Sequence, residues 1–224
     1  MPYIDIHTHA PAGAADVLEV ENIYFKQAVS DTTRYYSAGL HPWYLQGIDL
    51  DDAENWLRYQ VSSPFCVAVG EAGLDKITQT PWDLQVAAFG VCLRLAAETG
   101  KPLIIHCVRA YGEILQILHH PSTPKGRIRG AVFHGFNKSQ QTARMLLEAG
   151  HYLSFGAALL QEKNRVAEVL RQTPATQFFL ETDDQNLDIR AVYARVAEIR
   201  GWSEMRLRDQ VEANFRALFG VIPV

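Results

Sequence analysis

Short apolar runs punctuate this chain, and longer stretches of helical period fill most of the spaces between them. Eight runs read as strands: residues 3–6, 18–24, 35–40, 65–70, 103–106, 130–134, 151–155 and 177–181. The helical stripes are equally plain. Leu50, Ala53, Leu57 and Val61 share a face, as do Val86, Phe89, Leu93 and Ala96. Ile189, Val192, Val196 and Ile199 form a third stripe, and Leu207, Val211, Phe215 and Leu218 a fourth. Gly100, Gly150 and Gly220 stop helices, while Ser139 and Ser203 stand where caps are needed. These stripes are core packing. Strand–helix alternation with eight strands predicts an α/β fold, a TIM-type (β/α)8 barrel in a single domain over residues 1–224. One connection breaks the rule. Residues 10–17 are too few for a packed helix, so the barrel is expected to be distorted by a shortened connection after its first strand. The second run has the weakest strand pattern of the eight.

Hydrophobic residues make up 48% of the chain and charged residues 21%, which fits a soluble globular protein with a sizeable core. Lysine and arginine number 21 against 25 acids, a net charge of -4. That balance argues against a general electrostatic grip on nucleic acid, and leaves room for a local phosphate site built from a few cations or metal ions. Cys66, Cys92 and Cys107 are sparse and lack metal-type spacing, so they read as buried thiols in a reducing cytosol. The opening residues have no signal-peptide pattern and no run is long enough to span a membrane. A cytoplasmic protein is expected.

Imidazole and acid groups gather at the carboxyl ends of the apolar runs, which in a β/α barrel form the active-site face. The first run ends His7-Thr8-His9, and a period of two sends both imidazoles to the same side. The fourth runs into Gly70-Glu71-Ala72-Gly73-Leu74-Asp75, where the glycines are read as letting the backbone turn tightly after the strand. A carboxylate there is costly unless paired or metal-bound. The fifth ends at His106, the sixth at His134-Gly135, and the eighth leads through Glu181-Thr182 to Asp183. Any one of these alone reads as a hydrogen-bonded histidine or acid; six on five strand ends read as ligands for divalent cations. His119 and His120 close a helix before Pro121 and read as surface, and His151 begins a strand at the wrong end for catalysis.

The ordered motifs His7-Thr8-His9, Gly39-Leu40-His41-Pro42, Gly70 to Asp75, Pro102 to His106, Phe133-His134-Gly135-Phe136 and Glu181-Thr182-Asp183 resemble those of the TatD-like metal-dependent hydrolases, within the amidohydrolase superfamily. The stretch Glu212-Ala213-Asn214-Phe215 to Leu218-Phe219-Gly220 is similar to that family's closing helix, so the resemblance covers nearly the whole chain. It implies that His7, His9 and Asp183 bind one metal, that His106 and His134 bind a second, and that Glu71 bridges. Asp183 would also take the proton from the attacking water. Two divalent ions are implied, of zinc, magnesium, manganese or cobalt. By the same resemblance His41 lines the pocket, the other reading being a packed loop histidine. Asp75 and Arg109 are candidate contacts to a phosphate or leaving group or else members of structural salt bridges; Glu181 is expected to orient the end of the eighth strand.

Three places depart from the family pattern. His134-Gly135-Phe136-Asn137-Lys138 stands where many members have His-Cys-Phe-Ser-Gly, and Asp184-Gln185-Asn186-Leu187 leads quickly into the next helix. Val108 occupies a position that is often basic, with Arg109 one place later. The leading functional expectation is a phosphodiesterase or 3′-exodeoxyribonuclease using a metal-activated water on DNA ends or small nucleotides, acting as a monomer. The alternatives are a non-nuclease amidohydrolase acting on a small ester, lactone, amide or phosphate, and a metal-stabilised binding protein without turnover.

Overall fold

The computed structural model describes residues 1–121, 123, 128–161 and 165–220. Eight strands form one sheet in chain order: β1 (Tyr3–Thr8), β2 (Val17–Tyr24), β3 (Tyr36–Gly39), β4 (Cys66–Asp75), β5 (Leu103–Val108), β6 (Ala131–Phe133), β7 (Tyr152–Phe155) and β8 (Phe178–Leu180). The pairs β1–β2, β3–β4, β4–β5, β6–β7 and β7–β8 are parallel. The last strand returns to the first, where Thr8 and Asp183 form a parallel bridge. This is the TIM-type barrel that the alternating pattern predicts.

Parallel neighbours need crossovers, and helices supply most of them. They are α1 (Leu50–Val61), α2 (Trp82–Thr99), α3 (Tyr111–His119), α4 (Gln140–Glu148), α5 (Val166–Gln172), α6 (Ile189–Arg200) and α7 (Glu204–Phe219). Ser139 and Ser203 cap α4 and α7 as the sequence predicts, and Gly100 ends α2 in a left-handed conformation. The expected gap after β1 is present. No helix follows that strand; instead the Glu19 carboxylate accepts the backbone N–H groups of Ala12 and Gly13 at 2.7 and 2.9 Å and holds the loop. Among the described residues β2 also lacks a following α-helix, a second gap that the pattern did not announce. The short α5 was not predicted either. No helix among the described residues is long and apolar enough to cross a membrane.

Two compact units account for the chain's contacts: residues 1–21 with 132–224, and residues 22–131. In the first, Ile4 and Ile6 are buried with Val192 and Val196 of α6 and Leu207, Val211 and Phe215 of α7. The Tyr193 hydroxyl donates to the Ile4 carbonyl at 3.1 Å and accepts its N–H at 3.0 Å, pinning α6 to β1. In the second, Ala68, Val69, Ala72 and Leu74 of β4 are buried with Ile104 and Ile105 of β5 and Ala88, Phe89, Cys92 and Ala96 of α2. Burial pushes the Cys66 and Cys92 thiols up to about 12, so both stay protonated, whereas Cys107 is only partly buried.

The predicted turn after residue 70 is a correction. β4 runs on to Asp75, so Glu71 lies inside the strand rather than after it. The glycines serve close approach. A Cβ on Gly70 would sit 2.4 Å from the Ile104 carbonyl oxygen, and one on Gly73 would sit 1.9 Å from that of His106. The β4–β5 register shifts between Val69 and Ala72, the irregular step that carries Gly70 and Glu71.

Candidate metal centre

In the first unit, β1 carries Asp5 and His7, and His9 follows its last residue, Thr8. His7 is wholly buried, and the Nε2 atoms of His7 and His9 each lie 3.4 Å from Asp183 Oδ1. Backbone bonds fix this meeting: Asp183 N–H donates to the His7 carbonyl at 2.9 Å, and His9 N–H donates to the Asp183 carbonyl at 3.0 Å. Asp183 adopts φ 57°, a left-handed conformation that aspartate tolerates better than bulkier residues. The His134 ring lies tilted against that of His7 with centroids 4.4 Å apart, and its Nδ1 is 3.6 Å from Glu181 Oε1. Glu181 Oε1 also accepts the Gly135 N–H at 2.6 Å, so this acid orients the turn after β6 as well as the end of β8.

Asp5 underpins the arrangement. Its carboxylate accepts the Thr182 N–H at 3.1 Å and the Thr182 hydroxyl at 2.6 Å, and so holds the residue before Asp183. Burial pushes the Asp5 carboxyl up to about 7, against the lowering effect of those bonds and of the His7 N–H. Asp183 goes the other way. Burial would raise it, but hydrogen bonds from His7 and His9 and the neighbouring charge of His134 and His7 hold it well below the usual carboxylate range.

In the second unit, the acid at the centre is Glu71. Its Oε1 lies 2.8 Å from His106 Nδ1 and 3.1 Å from His41 Nε2, and the two imidazoles are 3.2 Å apart. Asn22 Oδ1 accepts the Glu71 N–H at 2.6 Å and the Ser37 hydroxyl at 3.0 Å. The Tyr24 hydroxyl approaches Glu71 Oε2 at 3.4 Å. Asp75 is buried and already committed: Oδ2 accepts the Trp43 indole N–H at 2.6 Å and faces His106 Nε2 at 3.2 Å, while Oδ1 accepts the Ile77 N–H at 2.8 Å. Burial would raise its carboxyl, and those partners keep it below its ordinary value. His41 is buried too, with Nδ1 accepting the Trp43 N–H at 3.1 Å. Arg109 differs from both. It follows β5 at φ 56°, is exposed, and has no ion pair among the described residues.

The donor atoms fit divalent cations. One nitrogen each from His7 and His9 and one oxygen from Asp183 lie within 4.8 Å of one another, as do donors from His134, Glu181 and Asp183. Within the second unit His41, Glu71 and His106 make a comparable set. Mixed imidazole and carboxylate donors suit zinc, manganese or cobalt, and less selectively magnesium. His119 and His120 are exposed at the end of α3, and His151 is buried against Phe133 with ring centroids 5.7 Å apart. Reading along the chain missed Asp5, Asn22 and Trp43. The signal for Asp5 was there: an acid inside an apolar strand, in phase with His7 and His9. Asn22 and Trp43 had none, because their partners Glu71 and Asp75 are distant in sequence.

The sequence matches the TatD related DNase family over residues 8–220. A 3'-5' ssDNA/RNA exonuclease TatD of Klebsiella pneumoniae is 31% identical over 207 residues, covering 80% of this chain and 77% of its own. The protein of the same description from Erwinia billingiae is 31% identical over 220 residues, covering 87% and 82%. A crystal structure of YJJV, a TatD homologue from Escherichia coli K12, superposes with a TM-score of 0.81 at 23% identity over 98% of both chains. That likeness repeats the barrel, and the family match takes in His9, Glu71, His106, His134 and Asp183, starting one residue after His7. This chain belongs to the TatD related DNase family of metal-dependent hydrolases.

Proposed function

We propose that this protein hydrolyses phosphodiester bonds at the 3′ end of single-stranded DNA or of short nucleotides, with two divalent cations. In this reading His7, His9 and Asp183 hold one ion, His106 and His134 hold the other, and Glu71 is shared, the assignment that family membership implies. The observation that carries it is the convergence of His7, His9 and Asp183 on one small volume, fixed by backbone bonds from Asp183, three residues past β8, to His7 and from His9 to Asp183. When bound, such ions activate water and stabilise the attacking and leaving oxygens of a displacement at phosphorus. Asp183 accepts the proton of the attacking water. The water oxygen bonds to phosphorus, the bond to the leaving ribose oxygen breaks, and the proton passes on to that oxygen. Asp5 and Thr182 keep the Asp183 carboxylate in place during the transfer.

Zinc, manganese, cobalt and magnesium are the ions to compare, and the protein is proposed to act as a cytoplasmic monomer. End-labelled single strands test the reading. Label should be lost from 3′ ends before 5′ ends, metal analysis should find about two ions per chain, and Glu71→Ala should lower both activity and metal content. Turnover of lactones or small amides without any attack on oligonucleotides would sink it. Two tightly held ions that survive Glu71→Ala would remove the shared ligand.

A further inference from the structure

The 3-10 turn Pro42–Tyr44, directly after the end of β3, carries two large aromatic residues that the hydrolytic reading does not use. Trp43 is 54% exposed and Tyr44 52%. Neither ring is loose. The Trp43 indole N–H donates to Asp75 Oδ2 at 2.6 Å, and its ring meets His41 at a 5.2 Å centroid distance and His106 at 5.7 Å, both edge-on. Tyr44 leans on Tyr24 at 4.8 Å and on His41 at 5.3 Å. His41 caps the turn that presents them both, and Pro42 within it is buried. Two exposed rings are therefore held in fixed orientations beside the Glu71–His106 cluster of the same unit.

A rigid aromatic ring with an open face next to a hydrolytic group suits a flat, π-bearing part of the substrate. Base stacking on aromatic residues is tolerant of sequence and needs an unpaired base. We propose that Trp43 and Tyr44 form a stacking platform for the nucleobase at a single-stranded end, and that Asp75 is the positioning residue that sets the indole. This rests on the proposed nuclease reading and deepens it: selectivity for unpaired ends comes from stacking rather than from cations, which are scarce in this chain. The platform also gives Asp75 a task different from phosphate contact, for which a buried anion is poorly suited.

Binding and hydrolysis are measured separately, so the platform and the nuclease reading can fail independently. Binding of a fluorescent single-stranded oligonucleotide is followed in chelator, without turnover, for the wild type, Trp43→Ala, Trp43→Phe and Tyr44→Ala. The expected result is binding weakened about 5- to 100-fold by Trp43→Ala, less by Tyr44→Ala, and only partly restored in Trp43→Phe, which keeps a ring but loses the bond to Asp75 that sets it. An oligonucleotide with an abasic terminal residue should bind the wild type and Trp43→Ala almost alike, collapsing the discrimination between the two ends. In turnover the loss should fall on KM more than on kcat. Binding that is lost in Trp43→Ala while no variant hydrolyses nucleic acid supports the platform and overturns the nuclease reading. Hydrolysis with equal discrimination in wild type, Trp43→Ala and Tyr44→Ala overturns the platform, and so does the absence of any oligonucleotide binding.

Discussion

The two ligand clusters of this protein are built on opposite principles. Around Asp183 the groups are joined by backbone: Asp183, three residues past β8, and His7 and His9 are linked by N–H bonds, and their side chains face one another at 3.4 Å. The Asp183 side chain keeps 34% of its surface exposed and that of His9 21%. Around Glu71 the side chains do most of the joining: His41, His106 and Asp75 engage one another or Glu71, Asn22 accepts the Glu71 N–H, and the side chains of Glu71 and Asp75 are 4% and 0% exposed. An open, backbone-fixed acid is suited to moving a proton. A closed, side-chain-fixed acid is suited to staying where it is. Two carboxylates of one family motif set thus acquire different work from the way each is held.

Substitutions can break that contrast. Asp183→Asn keeps the shape and removes the basic oxygen, so turnover on an end-labelled oligonucleotide should fall roughly 10²–10⁴-fold while the melting temperature barely moves. Near-wild-type turnover would put the proton transfer elsewhere. A smaller loss should follow Asp5→Ala, which strands the buried N–H and hydroxyl of Thr182. Leaving buried polar groups unsatisfied costs about 1–3 kcal/mol, and each kcal/mol lowers the melting temperature by about 2–4 °C in a chain of this size. Asp5→Asn retains an acceptor for the Thr182 N–H and should melt close to wild type; if it melts as low as the alanine variant, the carboxylate's charge rather than its bonding supports β8. Calorimetry distinguishes the two.

The smallest expected effect is that of salt. Of the exposed cations that follow the strands carrying the candidate ligands, Lys76 after β4 is paired with Glu113, and Arg109 after β5 and Lys138 after β6 are the two counted. A single strand loses about 0.7 in log affinity per log unit of salt for each phosphate neutralised, so two cations predict a slope near -1.4, about that of a short ligand. Oligonucleotides of increasing length should show the same slope in a binding titration. A slope that steepens with length would mean that an extended backbone contact, rather than a local end site, holds the substrate.

Much of the barrel was legible because burial of whole strands writes itself as apolar runs, and the candidate ligands stand at or near their ends. The sequence marks His7, His9 and Asp183 as candidates, and the structure brings the three together. β4 was cut short at Gly70 because glycine signals a turn when sequence is all there is, and only the nearness of Ile104 and His106 reveals that these glycines lie within a strand. α5 is seven residues long, too short for its buried Val166, Ala167, Val169 and Leu170 to repeat as a stripe over further turns. The partnerships of Asn22 with Glu71 and of Trp43 with Asp75 left no local trace, since neither residue type carries a periodicity that points to its partner. Side chains that contact each other across the sheet are the part of a site that a linear reading is least able to find.

The join between Thr182 and Asp5 spans 177 positions of the chain. A ribosome adds residues one after another, so His7 and His9 emerge long before Asp183 exists to face them. Closing so long a loop carries an entropic cost that grows with the logarithm of its length, and nearly all intervening strands must be in place before it is met. In the proposed mechanism the proton-accepting acid is therefore the last of the six candidate ligands to be synthesised, and an unfinished chain carries histidines without it. Hydrolytic competence would then arrive late in the birth of each molecule, by the order in which its parts are made.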